Sequence, residues 1–158
     1  MKRCDNILRH RLYKECIEKI EVLEKDRIYC LHGFSHAMDT ARIMYIKSLE
    51  DDIKTEKEII YATAILHDIG RVEQYEKNIP HDISSCELSK SILPDCGFDE
   101  AEIEQIICAI SEHRKKGDRS PLGELLYFAD NKSRMCMQCS AISSCKWRED
   151  EMNMGVEY

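Results

Sequence analysis

Two adjacent residues with metal-binding side chains, His67 and Asp68, close the apolar run Ala62-Thr63-Ala64-Ile65-Leu66, just before Ile69-Gly70. Other imidazoles and carboxylates are spread along the chain: His36 upstream, then His81, Glu112-His113 and Asp130. His36, His67, Asp68, His113 and Asp130 fall at the starts or ends of expected helices, where several helices can aim them at one point. Neutral imidazoles and carboxylates hold divalent cations and leave positions for water and substrate. An adjacent His-Asp pair can give two ligands to one ion, or a histidine to one ion and a bridging carboxylate to two. Two ions roughly 3.5–4 Å apart clamp the attacking and leaving oxygens of a phosphoryl displacement. These residue types suit metal-centred hydrolysis.

The elements that must position them read as helices. Ile7, Leu8, Leu12, Cys16, Ile20 and Leu23 recur every three or four residues, which predicts one helix from about 5 to 29. Its amphipathic face suits packing on its own domain or on a partner, and His10 is expected to face solvent. Ser35 is expected to cap a second helix from His36 to about Leu49, with Ala37, Ala41, Ile43 and Met44 on its apolar face. Thr55 and Glu58 form a capping-box pattern that opens a third helix, Ile59 to Ile69, stopped by Gly70. That helix is apolar nearly all round, which places it at the centre of the domain. A fourth spans 82–93 and ends at Pro94, and a fifth runs from the Asp99-Glu102 cap to His113. A sixth starts at Ser120-Pro121 and carries Leu122, Leu125, Leu126, Phe128, Ala129 and Asp130 on to Met135. No alternating strand pattern appears. The polar tail after Trp147 is expected to fray.

At 158 residues with 43% hydrophobic composition, the chain suits one domain with a real core. Six glycines and three prolines fit long helices and short loops. No apolar run approaches the ~18 residues of a membrane-spanning helix. Met1-Lys2-Arg3-Cys4-Asp5-Asn6 is not followed by a secretory apolar segment, so a cytoplasmic protein is expected. A net charge of −7 disfavours nonspecific binding to nucleic acid or anionic membranes. One short basic run, Arg114-Lys115-Lys116-Gly117-Asp118-Arg119, reads as a solvated loop or as a phosphate-attracting rim beside His113. Nine cysteines without an export signal should be mostly reduced. Cys16 and Cys108 fall on apolar helical positions and are expected in the core.

The segments "SHAMDTARI" around His36, "AILHDIG" around His67-Asp68 and "LLYFADNKSR" around Asp130 resemble the HD-domain superfamily of metal-dependent phosphohydrolases. The resemblance covers residues 31–135. It implies a single all-α HD-domain bundle of about six helices over 1–158, with 136–158 as a cysteine-containing C-terminal tail. His81 and His113 match the two additional histidines of the dinuclear branch. The resemblance therefore implies two divalent ions (Fe, Mn, Co, Ni or Zn, with Mg possible), held by His36, His67, Asp68, His81, His113 and Asp130. Asp68 is then the bridge and the catalytic carboxylate, and a metal-activated water is the nucleophile. The text is similar to bacterial HD proteins that hydrolyse dinucleoside polyphosphates symmetrically, which implies a small phosphorylated substrate, a nucleotide in the first instance. The Gly-Tyr-Pro motif of the cyclic-di-GMP phosphodiesterase branch is missing, and the chain is shorter than the multi-domain stringent-response enzymes.

Arg71 and Arg134 suit phosphate binding, and each equally suits a plain surface position. His32, in His32-Gly33-Phe34-Ser35-His36, competes with His36 for the first-ligand role; the Gly33 break puts it off the helix and favours His36. Cys136, Cys139 and Cys145 give C-x2-C-x5-C, a possible second site for Zn or an Fe–S cluster. Such sites usually need four ligands, with Cys30 or Cys96 as candidates for the fourth; three ordinary reduced thiols is the plain alternative. Two rival functions remain open on sequence: a non-catalytic nucleotide- or metal-binding sensor, and a redox or metal sensor working through these cysteines.

Overall fold

The computed structural model describes residues 1–115 and 117–158. Lys116, in the middle of the basic run, lies outside the described residues. Among the described residues the chain is all-helical, with eight α-helices: α1 Lys2–Arg9, α2 Arg11–Leu23, α3 Phe34–Glu50, α4 Lys57–Leu66, α5 Arg71–Lys77, α6 His81–Ile92, α7 Glu100–Glu112 and α8 Pro121–Lys132. A short 3-10 turn at Pro94–Cys96 lies between α6 and α7, and three more follow α8 at Cys136–Gln138, Ile142–Ser144 and Glu149–Glu151. No described helix is long and apolar enough to cross a membrane.

The centre is α4, as its all-round apolar pattern predicts. Every residue from Ile59 to Leu66 is buried. Helices α3, α7 and α8 pack around it, and α1 braces its N-terminal end. Its polar residue Thr63 is satisfied within the helix, donating from Oγ1 to the Ile59 carbonyl at 2.8 Å. Burying a Leu or Ile here is worth roughly 1.5–3 kcal/mol each, so this helix anchors whatever follows it.

Several boundaries differ from the sequence expectation, each for a local reason. The first expected helix is two. At His10 the backbone is extended (ψ 132°), and the imidazole Nδ1 accepts from the Leu12 N–H at 3.2 Å, capping α2. His10 is thus half-buried at a bend rather than solvent-facing. The bend lets α1 turn back so that Arg3 reaches Glu58 (2.6 Å) and Glu102 (2.6 and 2.8 Å). Glu58 is therefore unavailable to a capping box with Thr55, and Glu56 starts α4 without a side-chain cap. Gly33, not Ser35, precedes the first turn of α3. The third expected helix stops at Leu66, not Ile69, and an unexpected helix, α5, follows Gly70. Helix α8 ends at Lys132 rather than Met135.

The capping box on Asp99 and Glu102 forms as read, as does the Ser120 cap with Pro121 in the first turn of α8. Cys16 is buried, but Cys108 is exposed on α7, its thiol 3.5 Å from Glu112 Oε1. The tail does not fray after Trp147. Asn153 donates to the Asn131 and Arg134 carbonyls at 2.7 and 2.9 Å, and the Tyr158 hydroxyl donates to Glu50 at 3.0 Å.

The Arg3 clamp yields a pH-dependent prediction. Its hydrogen bond holds the Glu58 carboxyl below its ordinary 4.5. A depressed folded-state pKa contributes stability above the unfolded value and loses it as pH falls through the folded one. Arg3→Met should cost about 1 kcal/mol at neutral pH, given its charge-assisted bonds to two partly buried carboxylates. Urea midpoints of the two proteins should converge as pH is lowered through the carboxylate range; a gap that stays constant would show that Arg3 acts through packing on Phe98 instead.

Candidate metal centre

The turn 67–70 exists because α4 stops one residue short of His67 and Gly70 starts a new helix. At Gly70 a Cβ would lie 2.4 Å from both the His81 carbonyl and the Ser85 amide nitrogen. Only hydrogen fits, and the Gly70 N–H donates to Ser85 Oγ at 2.9 Å. This close approach locks the turn against the start of α6 and brings His81 beside Asp68.

Five helices converge here: His36 from the first turn of α3, His67 and Asp68 from the end of α4, His81 from the start of α6, His113 from the end of α7, and Asp130 from α8. The donor atoms form two groups. One is His36, His67, Asp68 and Asp130; the other is Asp68, His81 and His113; within each, the atoms all lie within 4.8 Å of one another. Asp68 belongs to both. Its Oδ2 faces His67 Nε2 (3.3 Å) and His36 Nε2 (3.6 Å), while its Oδ1 faces His81 Nε2 (3.2 Å). Asp130 Oδ1 lies 3.2 Å from His36 Nε2.

Three of the imidazoles are held the same way. His67 Nδ1 lies 2.7 Å from the Ala64 carbonyl, His113 Nδ1 2.6 Å from the Ile110 carbonyl, and His81 Nδ1 2.8 Å from Gln74 Oε1. A carbonyl oxygen only accepts, so each Nδ1 carries the proton and each Nε2 presents its lone pair inward. His36 differs. Its Nδ1 is 3.0 Å from Ser133 Oγ, and its Nε2 accepts from Arg134 Nη2 at 3.0 Å. Arg134 Nη2 also donates to Asp130 Oδ1 at 2.6 Å.

These contacts leave inward-facing polar atoms without partners. His67 Nε2 and Asp68 Oδ2 are buried without any hydrogen-bond partner. His81 Nε2 and His113 Nε2 lie 3.2 Å apart with both protons committed to Nδ1. Burial pushes His81 down to about 3, despite the nearby Asp68 charge, and lowers His113 as well. Burial also opposes ionisation of Asp68, but the close His67 and His36 imidazoles and the Arg71 guanidinium hold its carboxyl well below the usual carboxylate range. Two ionised carboxylates beside the inward lone pairs of His67, His81 and His113 match the donor set of a divalent cation. The donor set thus fits the metal that its residue types suggest.

All six residues expected as ligands meet at this point. His32 does not join them. It is buried, but its Nδ1 lies 2.5 Å from Glu24 Oε1, which also accepts from the Tyr75 hydroxyl. Glu24 was missed in the sequence, although it sits at the C-cap of α2, four residues after Ile20 and in register with the buried stripe, an odd place for a lone carboxylate. Gln74 was missed because α5 was. Arg71 and Arg134 are not plain surface residues: Arg71 Nε donates to Asp68 Oδ1 at 3.1 Å, and Arg134 is 8% exposed.

A helical bundle with a His/Asp cluster at the converging ends of its helices defines a class of metal-centre domain. Sequence comparison makes this specific. The family model of the HD domain matches residues 33–135, and the chain belongs to that family. An uncharacterised protein of Clostridium beijerinckii is 42% identical over 158 residues, spanning the whole of both chains. A crystal structure titled as a predicted HD superfamily hydrolase, from an uncultured Thermotogales bacterium, shares the fold with a TM-score of 0.63. It is 23% identical, with 89% of this chain and 81% of that one covered.

Gly70→Ala should destabilise the fold by about 1–3 kcal/mol, because backbone on α6 must move to admit the methyl group. Thermal unfolding checks this. A variant with wild-type stability would show that α6 yields freely and that the approach is not a constraint.

Proposed function

We propose that this protein is a divalent-metal-dependent phosphohydrolase with a two-ion centre. The observation that carries the proposal is the division of Asp68: one oxygen faces His36 and His67, the other faces His81. In this reading His36, His67, Asp68 and Asp130 hold one ion, and Asp68, His81 and His113 hold the other. Divalent ions bound there would polarise a phosphoryl oxygen and acidify water.

The chain's own groups supply the rest. A cavity of about 850 Å³ opens over the centre. Although the chain carries a net charge of −7, five cationic side chains line it: Arg27, Arg71, Arg114, Arg134 and Lys146. Such a concentration of cations in an acidic protein favours an anionic ligand and speeds its arrival. Arg71 couples the cavity to the centre, since it donates to Asp68 and to Gln74 (3.3 Å), the residue that orients His81. Tyr127 and Trp147 offer aromatic surface on the same walls. A phosphorylated substrate with an aromatic base matches these features, so nucleotides are the preferred class, with dinucleoside polyphosphates first in a screen.

The primary test is elemental analysis of protein purified anaerobically, beside a hydrolysis screen over nucleoside phosphates and dinucleoside polyphosphates. Near two ions outside the cysteines, phosphate release in the wild type, and loss of both in His67→Ala and Asp68→Ala are expected. Full hydrolysis by Asp68→Ala would overturn the reading. Gln74→Leu leaves every ligand in place but removes the acceptor that orients His81. It should weaken metal binding about 10–100-fold, read by competition with a chelating dye; an unchanged affinity would mean His81 is held by packing alone.

A further inference from the structure

The cysteine-containing tail has a fold without an adequate core. From Cys136 onward only Cys136 and Ala141 are buried apolar residues. The segment is nevertheless wound into three successive 3-10 turns. Hydrophobic burial of two small side chains cannot offset the entropy of ordering some twenty residues, which costs roughly 1–2 kcal/mol per residue. Hydrogen bonds to α8 and α3 help at its far end, but the turns around Cys136, Cys139 and Cys145 need another tie.

The structure brings a fourth cysteine to that place. Cys30, distant in sequence, lines the same cavity as Cys136, Cys139 and Cys145. The two segments are laced together around it. The Tyr29 hydroxyl donates to the Ser144 carbonyl at 3.3 Å, and Arg134 Nη1 donates to the Leu31 carbonyl at 3.0 Å. Arg27 Nε donates to the Cys30 carbonyl at 2.8 Å, fixing that loop from its own side. Burial pushes the Cys30 thiol up; Arg134 opposes this, and Cys136, Cys139 and Cys145 add to it. All four are free thiols. Cys96, the other candidate for a fourth ligand, is buried in the core beside α1 and α6 and takes no part.

We infer that Cys30, Cys136, Cys139 and Cys145 form a four-thiolate metal site, separate from the His/Asp centre and stapling the tail to the loop before α3. Thiolates at C-x2-C spacing completed by a remote cysteine suit soft metals, either an iron–sulfur cluster or a zinc ion. The four sulfurs are not among the donor sets that converge within 4.8 Å. A single tetrahedral zinc with bonds of ~2.3 Å would draw the sulfurs to about 3.8 Å from one another, closer than they stand here. Binding would deprotonate the thiols and contribute its free energy to ordering the tail. The consequence reaches the other centre, because the Cys136 N–H donates to the Arg134 carbonyl at 3.0 Å, and Arg134 contacts His36 and Asp130.

The test is iron, zinc and acid-labile sulfide analysis of the anaerobically purified full chain, of Cys136→Ser/Cys139→Ser, of Cys30→Ser and of His67→Ala. A thiolate-bound metal should persist in His67→Ala, vanish from the double variant and fall at least several-fold in Cys30→Ser. Sulfide accompanying iron identifies a cluster, and zinc without sulfide a single ion; either supports the site. Metal content equal in the wild type and the double variant overturns it. Should the double variant misfold, the wild-type chain decides. Alkylation mapped by mass spectrometry should spare these four thiols relative to the exposed Cys108 until a chelator strips the metal. Equal labelling with and without chelator would refute the site without reference to the His/Asp centre.

Discussion

The structure is organised around the need to compensate a buried carboxylate, Asp68, that has a second, half-buried one, Asp130, beside it. Asp68 is 5% exposed and stands among imidazoles that are themselves buried. Leaving such a charge unpaired costs several kcal/mol, more than any helix cap or surface ion pair in the molecule can contribute. The fold accepts this cost at the end of its best-buried helix. α4 is rigid through packing, so the side chains at its C-terminal end are placed with little freedom. The Gly70 turn then presses α6 against that end, and carbonyl acceptors on α4, α5 and α7 fix how three imidazoles face. Each device is modest by itself. Together they hold an arrangement that a cation would stabilise and that no hydrogen bond within it completes.

Much of this was legible in the sequence, because the strongest signals were of the kinds that physics makes local. An all-round apolar helix ending in His-Asp is visible as a pattern, and the Asp99 and Ser120 caps are short-range chemistry that formed as read. What failed was non-local. Glu58 looked like a capping residue until Arg3, 55 positions away, claimed its carboxylate. The break at His10 follows from where α1 must go to make that pair, not from any helix-breaking residue. α5 was invisible because seven residues give too little periodicity, and with it went Gln74. Cys108 falls on an apolar spacing, but the flank of α7 that it occupies faces solvent. The ligand set itself was read chiefly through family resemblance. Periodicity could place His36 and Asp130 on helices, but not against each other.

Charge is distributed unevenly in a way that composition hides. The net charge is −7, and most of the acidic side chains are exposed. Arginines gather instead around the cavity over the centre. Arg71 and Arg134 are each anchored to a carboxylate of the centre, which orients them toward the cavity and limits the rotamer entropy lost when an anion binds.

Arg134 ties the parts together. In the structure its guanidinium supplies some of the positive charge that Asp130 requires, and it occupies the Nε2 lone pair of His36. Its other end is bound to the chain on both sides: Nη1 to the Leu31 carbonyl before α3, and its own carbonyl to the Cys136 and Asn153 N–H groups of the tail. A side chain held at so many points cannot move unless its surroundings do. The order of the tail, the position of the loop carrying Cys30 and the electrostatics of the His/Asp cluster are therefore one mechanical unit. This explains why a segment with almost no core is folded back over the centre: its contribution is to fix the arginine that faces both the carboxylates and the cavity.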